Sequence, residues 1–154
     1  MRISIKITAV KISVFSFFIL FGANLHAQDT TAINKSIVVS EDNSVLQCNP
    51  CPEFMPAGCE LAVLHGNPAE NADVFLKVPA NAEIAKHRHT SAERMILVKG
   101  EMEVTYDGEE PVLIKQGNYA YGPANVPHTA KCGDQPCVLF IAFEEPVDAI
   151  PVED

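Results

Sequence analysis

The sequence predicts an all-β fold, an antiparallel sandwich or barrel of short strands, and three observations carry that prediction. Runs rich in Val, Ile, Leu, Phe and Tyr recur between turn residues from Cys59 to Pro146. No stretch keeps a helical period over three turns. Residues Glu101 to Asp107 alternate strictly, with Met102, Val104 and Tyr106 on one side and Glu101, Glu103, Thr105 and Asp107 on the other. That is the period of a half-buried strand, so the apolar side should face a core and the acidic side solvent.

Taken in order, the chain opens on a segment that does not belong to this fold. Arg2, Lys6 and Lys11 precede the apolar run "ISVFSFFILFG", which is too short to span a bilayer, and Ala27 offers a small residue for cleavage. Residues 1–27 therefore read as a secretory signal peptide, and the protein as exported to the periplasm or beyond. Its removal leaves 8 Lys and Arg against 20 Asp and Glu, a net charge of −12. Such a chain lacks the basic patches that nucleic acid or anionic membrane surfaces demand. The remaining 127 residues suffice for one domain with a real core.

Residues 28–54 form an approach segment. It is polar to about Asn34, with "SIVV" (36–39) as a candidate short strand and "QCNPCPEFMPAGC" as loop, because three prolines and a glycine forbid regular pairing. The barrel is expected over 55–145 and a tail over 146–154. Its strands fall in "CELAVLHG", "DVFLKVP", "EIAKHRH", "RMILVKG", "EMEVTYDG", "PVLIKQG", "NYAYGP", "PHTAKC" and "CVLFIAFEEP". Lys99-Gly100 and Asp107-Gly108 read as hairpin turns, so 93–99, 101–107 and 111–115 should form a meander.

Five cysteines lie at 48, 51, 59, 132 and 137, and an odd count leaves at least one unpaired in an oxidising compartment. "CNPC" has redox-motif spacing, but no helix pattern follows it to stabilise a thiolate, so it reads as structural or idle. A zinc site of the paired-CxxC kind would need a second CxxC, which the chain does not have.

The chemistry concentrates in "HRHTSAE". His87 and His89 lie on an extended segment and project from one face, about 6.6 Å apart at Cα. If the corner "TSA" turns the chain into the next strand, Glu93 can face both imidazoles, with Met95 and Leu97 in its phase. Two neutral imidazoles and a carboxylate beside an apolar pocket suit a borderline divalent ion, and His128 in "PANVPHTAK" could supply a further ligand. Paired histidines on a strand are more often plain surface residues, so this pattern alone is weak.

Two further spacings strengthen it. The sequence resembles the cupin superfamily, whose first motif reads G, five residues, HxH, three or four residues, E, six residues, G. Residues 81–100 match it except at Asn81, and Asn tolerates the left-handed backbone that a turn needs. The second motif is G, five residues, PxG, two residues, H, three residues, N. Gly117, Pro123 and His128 match, while Asn125 and Cys132 replace the inner Gly and the final Asn.

The resemblance covers roughly residues 55–145. Within the superfamily the chain is similar to stand-alone single-domain cupins, including those like the anti-sigma-factor cupin domain, a subgroup without one defined reaction. It implies a small jelly-roll barrel (a double-stranded β-helix) with His87, His89, Glu93 and His128 on one divalent transition metal. That donor set accepts Mn, Fe, Ni, Zn or Cu.

The replaced Asn at 132 lies four strand residues from His128, about 13 Å away, so it does not bear on the ion. Cys132 and Cys137 instead flank a four-residue Gly/Pro loop and should pair. Cys59 is expected to stay reduced and buried, and Cys48–Cys51 pairing would be strained. His65 reads as surface, and Arg94 has the wrong phase for the cavity. Tyr106, Tyr119 and Tyr121 are candidate phenolic donors, though a half-buried barrel tyrosine is commoner. Met95, Leu97, Met102 and Val104 should line an apolar cavity suited to a small, partly hydrophobic ligand.

The leading reading is an exported metal-binding cupin with a small-molecule pocket, acting as a metal-dependent oxygenase, isomerase or lyase. The alternatives are a non-catalytic periplasmic module that senses a ligand or metal, and a partner-binding jelly roll with a structural metal, a homodimer being the candidate assembly.

Overall fold

The computed structural model describes residues 36–153, and the leader and its cleavage point lie outside them. Eleven strands are present among the described residues. They are β1 (Cys48–Pro50), β2 (Glu60–Asn67), β3 (Asn71–Val78), β4 (Glu83–Arg88), β5 (Glu93–Lys99), β6 (Glu101–Tyr106), β7 (Val112–Lys115), β8 (Tyr119–Gly122), β9 (His128–Cys132), β10 (Cys137–Phe143) and β11 (Ile150–Pro151). They form two sheets of antiparallel pairs, ordered β1-β2-β3-β10-β5-β8 and β11-β4-β9-β6-β7. This is an all-β jelly-roll sandwich. No helix among the described residues is long and apolar enough to cross a membrane.

The alternation read in β6 holds: Met102 and Val104 are buried, and Glu101 and Glu103 are exposed. The same period runs through β5, where Glu93, Met95 and Leu97 point inward and Arg94 and Ile96 outward. Inward residues of both sheets build one core, with Val74, Leu97, Met102 and Leu139 fully buried at its centre. The expected pair Cys132–Cys137 lies at one end of it, with Cα atoms 5.9 Å apart.

Four expectations are corrected. "SIVV" is not a strand; the first strand is β1, inside the segment read as loop. Its pairing Pro50↔Glu60 places Cys51 opposite Cys59, where Cys51 N–H donates to the Cys59 carbonyl at 3.0 Å. The second disulfide is accordingly Cys51–Cys59, so Cys59 is buried but not reduced, and the free thiol is Cys48.

The meander is only half present. β6 and β7 form the expected hairpin, but β5 pairs with β10 and β8, and β6 with β9 and β7. Gly100 does not join neighbours in one sheet; it turns the chain from one sheet to the other. Its φ is +83°, and a Cβ there would lie 2.7 Å from the Pro136 carbonyl oxygen, so only glycine fits. Finally, the expected tail contains β11, which adds Pro151 opposite His87 at the edge of the second sheet.

Both asparagines that stand at motif glycines take the left-handed backbone, Asn81 with φ 59° and Asn125 with φ 62°. The departures from the motif therefore preserve its turns.

Candidate functional site

Two cross-strand rows face each other at the end of the sandwich away from Cys132–Cys137. In the second sheet, His87 of β4, His128 of β9 and Tyr106 of β6 lie side by side. In the first, Gly122 of β8, Glu93 of β5 and Phe143 of β10 do the same. His89, one residue past β4, completes the group. His87, His89, Glu93 and His128 are all buried, an uncommon state for four ionisable side chains.

The structure brings these four together. One nitrogen from each histidine lies within 4.8 Å of the others. Glu93 reaches across from the opposite sheet, with Oε1 3.3 Å from His89 Nε2 and Oε2 3.7 Å from His128 Nε2. The remaining ring nitrogens are committed outward. His87 Nδ1 bonds to the Ala85 carbonyl at 2.8 Å, His128 Nδ1 to the Val126 carbonyl at 3.2 Å, and His89 Nδ1 to the Asp148 carbonyl. A carbonyl only accepts, so each Nδ1 carries a proton, and in the neutral ring Nε2 keeps its lone pair. This tautomer is the one a metal needs, and fixing it through the far nitrogen is how ligating histidines are oriented.

Electrostatics favour the same state. Burial, followed by the neighbouring imidazoles His128 and His89, holds His87 down to about 3 from its ordinary 6.5. Burial likewise lowers His128 to about 4. Burial raises the Glu93 carboxyl above its usual range, partly offset by His89. His87 and His128 are thus held neutral beside a carboxylate that lacks full hydration, and a divalent cation would relieve the cost of burying it. The donors fit such an ion: three nitrogens and one or two oxygens, converging from two sheets.

Beside this cluster opens a cavity of about 370 Å³. Met95, Met102, Val104, Ile84, Leu139 and Ile141 form its inner wall, and Tyr106 lies near His128, with ring centroids 4.8 Å apart. Leu97, expected in that wall, is fully buried in the core behind it, because it lies farther along β5 toward the disulfide end. Tyr119 and Tyr121 are exposed and Arg94 pairs with Glu144 on the surface, leaving Tyr106 as the phenol at the cavity. His65 is exposed, as expected.

Sequence reasoning missed the groups that close the mouth. Asn49 and Pro52 come from the approach segment, Met55 from the expected start of the barrel, and Val147 and Asp148 from the C-terminal tail. Asp148 is the most informative of these. Its carboxylate accepts from Thr90 N–H at 2.9 Å and Thr90 Oγ1 at 2.8 Å, while its carbonyl holds His89. Neighbouring Ser91, fully buried, accepts from the Glu144 and Glu145 amides at 2.9 and 3.1 Å. "HTS" is thus a docking site for the tail. Small hydroxyl residues at a corner are the signal that hints at it.

Residues 74–143 match the family model of the cupin domain. Two curated relatives match over short segments, and the matches span less than half of either. One is an uncharacterised protein of Methanocaldococcus jannaschii, 39% identical over 49 residues, 32% of this chain and 42% of that protein. The other is dimethylsulfoniopropionate lyase DddQ of Ruegeria pomeroyi, 24% identical over 75 residues, 49% of this chain and 37% of that protein. The crystal structure of DddQ superposes with a TM-score of 0.61 at 18% identity, over 70% of this chain and 61% of that one. Polyketide cyclase RemF from Streptomyces resistomycificus gives a TM-score of 0.61 at 17% identity, over 77% of this chain and 87% of that one. At these identities the likeness is one of fold. The family match and the two-sheet barrel agree: this chain carries a cupin domain.

Proposed function

We propose that the protein is an exported metal-binding cupin that holds a divalent transition ion on His87, His89, Glu93 and His128 and acts on a small organic molecule in the adjoining cavity. The observation that carries this reading is the convergence of three imidazole nitrogens and a buried carboxylate at the wall of an apolar cavity. Such an ion would supply a Lewis acid able to polarise a carbonyl or stabilise an enolate, the chemistry shared by lyases and isomerases. The wall of Met95, Met102, Val104 and Ile141 excludes water and selects ligands that are small and mostly apolar. The similarity to a lyase and a cyclase supports turnover of a small substrate. Export is supported by the leader pattern and by two disulfides, which persist in oxidising compartments.

A second reading, a periplasmic module that binds without turnover, draws on one observation. Apart from the four clustered residues, the titratable side chains lining the cavity are Tyr106 and Asp148, and Asp148 is occupied with Thr90. An evident general base is therefore missing from the wall.

Elemental analysis of protein purified from its native compartment tests the metal. We expect about one transition ion per chain, as a single centre of this kind requires, and loss of most of it in His89→Ala. Wild-type stoichiometry in that variant would remove His89 from the site. Assay of the loaded protein against small carboxylic acids and ketones then separates the readings: product formation supports the enzyme, and tight binding without product supports the sensing module.

A further inference from the structure

The Tyr106 hydroxyl is an anomaly in an otherwise satisfied interior. Among the described residues its Oη is the buried side-chain polar atom with no hydrogen-bond partner. Burying a hydroxyl unpaired costs about 1–3 kcal/mol, and Phe would fill the same space without that penalty. The position is also built around the oxygen. Gly122, on the facing sheet, leaves the room: a Cβ there would collide with Tyr106 Oη and lie 3.0 Å from Glu93 Oε2. The phenol is held opposite His128 by the β6–β9 register and lines the cavity. Glu93 does not take its proton in a hydrogen bond, so the donor has no partner within the protein.

We propose that Tyr106 Oη–H is the group that receives an acceptor oxygen of the cavity ligand, fixing that oxygen between the phenol and the His87/His89/His128/Glu93 cluster. This rests on the cavity reading above and deepens it by naming the ligand class: small, largely apolar molecules that carry a carbonyl, carboxylate or enol oxygen at one end. The apolar wall takes the rest of the molecule, and the phenol and the cluster together take the oxygen. A pure hydrocarbon or an amine without an acceptor would leave Tyr106 unpaired and bind poorly.

The test uses the full chain loaded with Co(II), a spectroscopic probe ion, and acetohydroxamate as a small chelating oxygen ligand. Tyr106→Phe should take up Co(II) with wild-type stoichiometry and affinity. It should bind acetohydroxamate about tenfold or more weakly, the loss expected for one buried hydrogen bond to a charged acceptor. Without metal or ligand, Tyr106→Phe should melt at or above the wild-type temperature, because no internal hydrogen bond is removed. Equal acetohydroxamate affinity in the two proteins overturns the inference. So does a weakened Co(II) affinity or a lower melting temperature, either of which would assign the phenol to Glu93 or to the fold. A wild type that takes Co(II) but shows no acetohydroxamate binding fails the cavity reading itself, and the inference falls with it.

Discussion

At the scale of single residues, the candidate centre was legible because its chemistry needs rare residue types at fixed spacing. The chain has five histidines; three of them converge, and the HxH, Glu and distant His could be named before any geometry was known. Their protonation follows from burial and gives a testable pH dependence. His87 and His128 resist protonation in the folded, metal-free protein down to about 3 and about 4, while the unfolded chain takes those protons near 6.5. Between these limits the unfolded state binds more protons, so stability falls as pH falls. Glu93 works the other way: its raised folded value means that stability is lost as pH rises above 4.5 through that value. Two histidines outweigh one carboxyl, so the metal-free protein should melt lower at pH 5 than at pH 7. A His87→Gln, His128→Gln variant should lose that difference or reverse it in thermal melts, since Glu93 alone remains. A wild-type melting temperature that stays flat or rises toward pH 5 would show that the imidazoles are already hydrated.

Single elements were read unevenly, and the reasons are physical. Strands that alternate, such as β5 and β6, or that are bounded by turn residues, such as β7, announced themselves. β1 was hidden because Pro50 and Pro52 mimic loop, yet an edge strand tolerates proline, since one side of its backbone needs no partner. β11 is two residues long, below any pattern. Its flank nevertheless does the work of an element: residues 144–148 dock on Thr90 and Ser91, and the Asp148 carbonyl orients His89. Replacing Asp148 by Ala removes both grips on Thr90 and lets that carbonyl drift. We expect metal affinity to fall about tenfold with stoichiometry unchanged, the usual effect of losing a group that positions a ligating histidine. Competition against a chromophoric chelator measures it, and wild-type affinity in Asp148→Ala would mean that the backbone alone holds His89.

For the whole molecule, sheet assignment was the piece that local patterns could not supply. A glycine after a strand reads as a hairpin turn whether the next strand pairs with the last or crosses to the other sheet; Gly100 does the second. The two disulfides make the same point. Both close short Gly/Pro loops, Cys132–Cys137 and Cys51–Cys59, but only the first was anticipated, because only there were both flanking strands visible. They sit at different places in the barrel. Cys132–Cys137 belongs to the core at the far end, whereas Cys51 and the residues it anchors, Pro52 and Met55, border the cavity mouth. With sequence separations of 8 and 5, loop closure gives each a contribution of about 2–3 kcal/mol. Replacing either pair by serines should therefore lower stability to denaturant by a similar amount. Access should respond differently. Freed from Cys59, the 49–55 segment can lift from the mouth, so a chelator should strip metal from Cys51→Ser, Cys59→Ser several-fold faster than from wild type. In Cys132→Ser, Cys137→Ser the stripping rate should match wild type under conditions where all three proteins remain folded. Equal rates in the two variants would mean that the ion exchanges by global opening, and that the disulfide-bound strap is no barrier to the cavity.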